Sequence, residues 1–95
     1  LALLHFHLVS LLERLEPELV IHVAGADVLS DDPLTGLGLD PRQLVRRDLL
    51  VHGEARRRGI PVLQLLAGGY GPSAARAQAM SLSAICSAAR MERAA

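Results

Sequence analysis

Apolar residues fall along the chain in two rhythms, and the changes between them outline the elements. Leu1, Leu4, Leu8, Leu11, Leu12 and Leu15 recur at helical spacing, and Pro17 closes that run. Over residues 18–26, ELVIHVAGA, the pattern contracts to a short continuous block with β-branched Val20, Ile21 and Val23. That predicts a buried parallel strand. Residues 28–39, VLSDDPLTGLGL, lose both rhythms and form a loop long enough to carry function. The helical rhythm returns at Leu44, Val45, Leu49, Val51 and Ala55. Asp40 can cap this helix, Pro41 suits its first position, and Gln43 completes a capping-box spacing. Arg56, Arg57 and Arg58 crowd its negative end, and Gly59 stops it. Residues 60–66, IPVLQLL, read as a second strand, with Pro61 tolerated at its start. A last, Ala-rich helix opens at Pro72 and Ser73 and carries Ala77, Met80, Leu82, Ile85 and Ala89. Cys86 is expected to pack on it as a small apolar side chain, and residues 90–95 to fray.

A strand, a loop, a helix and a second strand make a right-handed crossover, so the two strands should run parallel. The expected class is α/β, with parallel strands in a partial layered sandwich. Parallel strands deliver their carboxyl ends to one sheet edge, where open α/β folds place ligands. Asp27 follows the first strand, and Tyr70, the chain's single tyrosine, follows the second after Gly68 and Gly69. As neighbours, the strand axes would lie about 5 Å apart. A carboxylate can bind a cation, and a phenol hydroxyl can donate to a developing oxyanion. An aspartate after a strand also commonly caps a turn, and a tyrosine after glycines commonly packs. Geometry therefore leaves a chemical and a structural role both open.

Composition narrows the choice. Ten basic and ten acidic residues balance, so no overall field recruits nucleic acid or a membrane surface. Phe6 and Tyr70 are the only aromatics, too few for a platform on which bases stack. No apolar run reaches the ~18 residues of a membrane span. The opening LALLHFHLVSLL lacks a preceding basic segment, and Glu13, Arg14 and Glu16 follow at once, unlike a signal peptide. Cys86 has no partner for an internal disulfide, and a reducing compartment, cytoplasm or nucleus, fits. Hydrophobic residues make up 51% of 95, high for a unit this small. Some apolar faces are thus expected to pack on further protein, and the start at Leu1 rather than methionine reads as a missing upstream part.

Most polar residues take ordinary roles. His5 and His7 stand about 200° apart on a helix and cannot clamp one metal. His22 reads as a hydrogen-bonded core histidine. Asp31 and Asp32 before Pro33 read as turn residues, without the further oxygen ligands calcium needs. The arginines at 42, 46, 47 and 56–58 read as a solvated face and a charged helix end, partly paired with Asp48 and Glu54, rather than a phosphate site. Gly68-Gly69-Tyr70-Gly71 lacks the Gly-Lys-Ser/Thr end of a P-loop.

The segments Ala24-Gly25-Ala26-Asp27, Asp32-Pro33-Leu34, Arg47-Asp48 and Gly68-Gly69-Tyr70, in that order, resemble the carboxyl-terminal part of the zinc-dependent histone deacetylase family. Acetoin-utilisation and acetylpolyamine hydrolases belong to the same superfamily. The resemblance spans residues 16–85, and RRDLLV with Ala67 before the glycines looks most like class IV or bacterial relatives. It implies a three-layer α/β/α sandwich, here in part, with residues 1–95 as the carboxyl-terminal part of one domain. It implies that Asp27 is a zinc ligand and that Tyr70 hydrogen-bonds the substrate carbonyl and stabilises the tetrahedral intermediate. Leu34 would line the narrow acyl-lysine channel, which Gly68 and Gly69 leave open. The implied substrate is an acetylated or acylated lysine. The family's remaining zinc ligands, an Asp-x-His pair, and its His-His acid/base pair have no counterpart in this sequence. The expectation is a portion of a deacetylase inactive without the upstream part of its domain, against a non-catalytic product that binds or regulates.

Overall fold

In the computed structural model, which describes residues 1–94, the two predicted strands lie side by side. The order is α1 (Ala2–Leu15), β1 (Val20–Val23), α2 (Pro41–Arg57), β2 (Val62–Leu65) and α3 (Ala74–Ala94). The strands pair in parallel, Val20 opposite Val62 through Val23 opposite Leu65. Main-chain bonding runs on beyond them: the Ala24 N–H donates to Leu65 O at 2.8 Å, and the Ala26 N–H to Gly68 O at 2.7 Å. The segments leading to Asp27 and Tyr70 are thus zipped together.

Alternation along each strand gives the sheet two unlike faces. Val20, His22, Val62 and Gln64 are half-buried, with His22 and Gln64 facing α2. Ile21, Val23, Leu63 and Leu65 on the other face are exposed. The expectation of a strand buried on both faces therefore fails among the described residues, because helices cover one side only. The α/β class and the partial character of the sandwich stand: one parallel sheet and one helical layer.

Helix α2 starts as its sequence dictates. The Asp40 carboxylate accepts from the Gln43 N–H at 2.8 Å, and the Gln43 side chain accepts from the Asp40 N–H at 2.9 Å. Asp40→Ala is expected to cost about 1 kcal/mol. That corresponds to a thermal midpoint lower by about 4–8 °C, read by circular dichroism. Leu44 of α2 meets Ala74 and Ala77 of α3 with Ala26 and Leu29 in the buried core. The small alanines let α3 approach closely.

Two expectations about α3 are corrected. Cys86 is exposed, so it does not serve as a core side chain. The helix continues through Arg90 to Ala94 rather than fraying, with Glu92 paired to Arg56 at 3.3 Å; Ala95 lies outside the described residues. No helix among them is long and apolar enough to cross a membrane.

Helix α1 buries only Leu12 and is tied to its neighbours by polar contacts. His5 meets the buried Glu54 at 3.1 Å, and Arg58 reaches both Glu54 at 2.8 Å and Glu13 at 3.3 Å. Arg58 above all, then Arg57 and His5, hold the Glu54 carboxyl down to about 2 against an ordinary 4.5. A depressed carboxyl stabilises the fold above its unfolded value, and that contribution disappears as pH falls through the folded value. The thermal midpoint is expected to drop between about pH 5 and about pH 2, and Glu54→Gln to flatten that drop. A slope unchanged by the substitution would show that this cluster does not couple α1 to folding.

Candidate functional site

The site lies past the carboxyl ends of β1 and β2 and is built from two turns and a loop. Gly68 is the hinge of the geometry. A Cβ added there would stand 3.4 Å from Asp27 Oδ2 and 3.7 Å from Tyr70 Cε2. The acid and the phenol ring therefore flank one point, and only the missing side chain keeps that point empty. Gly69 is required for a different reason. Its φ is 142°, and a Cβ would fall 2.7 Å from that of Ala26, so the turn can lie against the β1 extension only as glycine. Ala67, just before, takes a left-handed φ of 52°, a conformation costing about 1–2 kcal/mol for a residue with a side chain.

The loop over residues 28–39 closes on itself and then clamps the turn. Leu29 bridges Leu39, with the Ser30 N–H donating to Leu39 O at 2.8 Å. Asp32 is buried, and its two oxygens face different segments. Oδ1 accepts from the Leu34 N–H at 2.8 Å and the Thr35 N–H at 3.2 Å; Oδ2 accepts from the Tyr70 N–H at 3.0 Å. These donors, Tyr70 first, hold its carboxyl below the usual aspartate range. One carboxylate thus joins the backbones of Leu34 and Tyr70. Asp31 completes the clamp, accepting from the Ser73 N–H at 3.0 Å and its hydroxyl at 2.6 Å. On the other side, the Thr35 hydroxyl donates to the main-chain oxygen of Asp27.

All five residues expected at a site are gathered here. Asp27 and Tyr70 flank Gly68, Gly69 packs beneath, and Leu34 stands on the clamped loop. The side chains of Tyr70, 67% exposed, and Leu34, 73% exposed, are both open to the surface.

Below the site lies a polar cluster that the sequence pattern does not reveal. Asp48 is 0% exposed and accepts from Arg47 Nε at 2.8 Å, from the Ser81 hydroxyl, and from Gln64 at 3.5 Å. Arg47 spans onward to the Gly25 carbonyl at 2.7 Å, two residues before Asp27. It was expected on a solvated face; its side chain is instead 11% exposed, drawn inward by the buried carboxylate. The His22 and His52 rings meet the Gln64 side-chain oxygen at 3.4 and 2.7 Å. Burial, the largest cause, lowers the His22 pKa, in keeping with a neutral core imidazole.

The histone deacetylase domain family matches residues 1–86. The chain belongs to the histone deacetylase family. Histone deacetylase 2 of Arabidopsis thaliana is 45% identical over 67 residues, covering 70% of this chain and 17% of that protein. An uncharacterized protein of Picosynechococcus sp. is 37% identical over 70 residues, covering 74% of this chain and 23% of that protein. The chain thus spans less than a quarter of these relatives' length. No solved structure matches it.

A zinc ion is what the deacetylase resemblance implies at Asp27, and the residues can be tested against it. A catalytic zinc takes three protein ligands and keeps one open position. The described residues hold no group of three His, Cys, Asp or Glu side chains able to grip a metal. His22 and His52 are engaged with Gln64 under the sheet. The described residues therefore do not by themselves fit a catalytic zinc.

Proposed function

We propose that this chain is the carboxyl-terminal portion of a lysine deacetylase domain that hydrolyses acyl-lysine amides when joined to the upstream part of that domain. The observation that carries the reading is the pairing of Asp27 with Tyr70 around the empty Gly68 position, inside a member of the histone deacetylase family. Each residue has a role the geometry suits. Asp27 would supply one carboxylate to a metal, with the further ligands that metal needs coming from outside this chain. The Tyr70 hydroxyl donates to the acyl oxygen, and more strongly as negative charge builds there, which is where hydrogen-bond donors accelerate acyl transfer. Gly68 and Gly69 leave room for the acyl group, and Leu34 gives its alkyl stem an apolar wall. Asp32 fixes the spacing between that wall and the phenol by holding both backbones.

The test is hydrolysis of an acetyl-lysine peptide by the full gene product, with and without a strong zinc chelator. The expected result is acetate release that the chelator abolishes and added zinc restores, with none from the 95-residue chain alone. A full gene product that folds, carries the upstream residues and still leaves the peptide intact would contradict the proposal. The second reading, a non-catalytic binding piece, would then take its place.

A further inference from the structure

Gln78 sits one turn into α3 and is 8% exposed. Its side-chain nitrogen donates to two main-chain oxygens at once, Ala24 O at 2.9 Å and Leu66 O at 3.0 Å. Ala24 directly follows β1, and Leu66 directly follows β2. An amide NH2 has two hydrogens, and here each goes to the end of a different strand. The orientation is forced, because a carboxamide oxygen facing two carbonyls would only repel them. It is kept although the other end of the amide, Gln78 Oε1, is buried without a partner among the described residues.

Asp27 lies three residues beyond the first of these carbonyls, and Tyr70 four beyond the second. Resting on the deacetylase reading above, we infer that Gln78 is a positioning residue: it pins the two strand ends to one point on α3 and so sets the separation of Asp27 and Tyr70 across Gly68. It touches neither substrate nor reacting atoms. It acts from behind the turn, where a groove lined by Ala26, Gly68, Gly69, Ala74 and Leu82 would otherwise let the glycines shift. The bridge matters because two glycines and a left-handed alanine leave the Tyr70 turn little stiffness of its own.

The experiment uses the full gene product carrying Gln78→Met, of similar volume but without donors, each alone and combined with Tyr70→Phe. With an acetyl-lysine peptide, Gln78→Met is expected to lower kcat by about 10- to 100-fold, the scale of a small misplacement of reacting groups. KM should change by no more than about twofold. In the Tyr70→Phe background the same substitution should cost clearly less than in the unsubstituted protein, because one of the two groups being positioned has lost its hydroxyl. Amide exchange gives a readout independent of activity. The Ala26 and Tyr70 amides should exchange at least about tenfold faster, while those within β1 and β2 keep their rates. Gln78→Asn retains the amide but is a methylene too short to span both carbonyls, and it should behave like Gln78→Met. Full kcat, additive losses with Tyr70→Phe, or unchanged exchange at Ala26 and Tyr70 would each overturn the inference. If the unsubstituted protein releases no acetate, the deacetylase reading fails, and the exchange rates alone decide whether Gln78 holds the two ends.

Discussion

Tyr70→Phe is expected to lower kcat for acetyl-lysine hydrolysis by the full gene product about 10²- to 10³-fold, the loss typical of removing one oxyanion donor. The substitution deletes one oxygen and keeps the ring, so the ring still flanks the Gly68 position and the fold has no reason to change. The Tyr70 side chain is largely exposed, and its backbone is held by Asp32 rather than by its hydroxyl. KM should stay within a few-fold, because the bond strengthens mainly as charge develops on the acyl oxygen. Steady-state kinetics on the two proteins, matched for folded content, provide the check. Equal kcat values would remove Tyr70 from the chemistry.

The second large effect concerns stability. Asp48→Ala is expected to cost about 3–5 kcal/mol, because it leaves the Arg47 guanidinium buried without its counter-charge. Ser81 and Gln64 lose their acceptor in the same step. Against a total of about 5–15 kcal/mol for a typical domain, that is a large share of the folding free energy. Urea denaturation of the full gene product should show the midpoint falling sharply. The double replacement Arg47→Met with Asp48→Leu should cost much less, since it removes both charges and fills the space with apolar atoms. A double variant as unstable as Asp48→Ala would mean that the carboxylate's hydrogen bonds, rather than the stranded charge, dominate. Because Arg47 also holds Gly25 O, the double variant should fold yet lose activity.

These contrasts show what the sequence made legible. Element order, both strands, the capping box at Asp40 and the meeting of Asp27 with Tyr70 all follow from local patterns: period, caps and the shared edge of parallel strands. What stayed hidden depends on contacts between distant segments. Asp32 is recognisable before Pro33 as a turn former that bonds to residues just after it, and it does bond to Leu34 and Thr35. Its third bond, to Tyr70 far along the chain, has no local signature. Arg47 looked solvated because arginines usually are, and only a buried acid beside it reverses that preference. Gln78 lies in an Ala-rich helix where a polar residue ordinarily faces water, so nothing nearby marks it as a bridge. The strands read as fully buried because an apolar run looks the same whether one face or both are covered. Ile21, Val23, Leu63 and Leu65 remain exposed on the uncovered face. An apolar patch of that kind is what a further layer of protein would cover.

The most direct measurement is a crystal structure of the full gene product with an acetyl-lysine peptide, carrying Tyr70→Phe if turnover must be stopped. The account predicts the acyl group at the Gly68 gap, between Asp27 and the ring at position 70. In the unsubstituted protein with a slow substrate, the Tyr70 hydroxyl should lie about 2.7–3.1 Å from the acyl oxygen. An acyl group bound elsewhere, or a ring at position 70 turned away from Asp27, would contradict it.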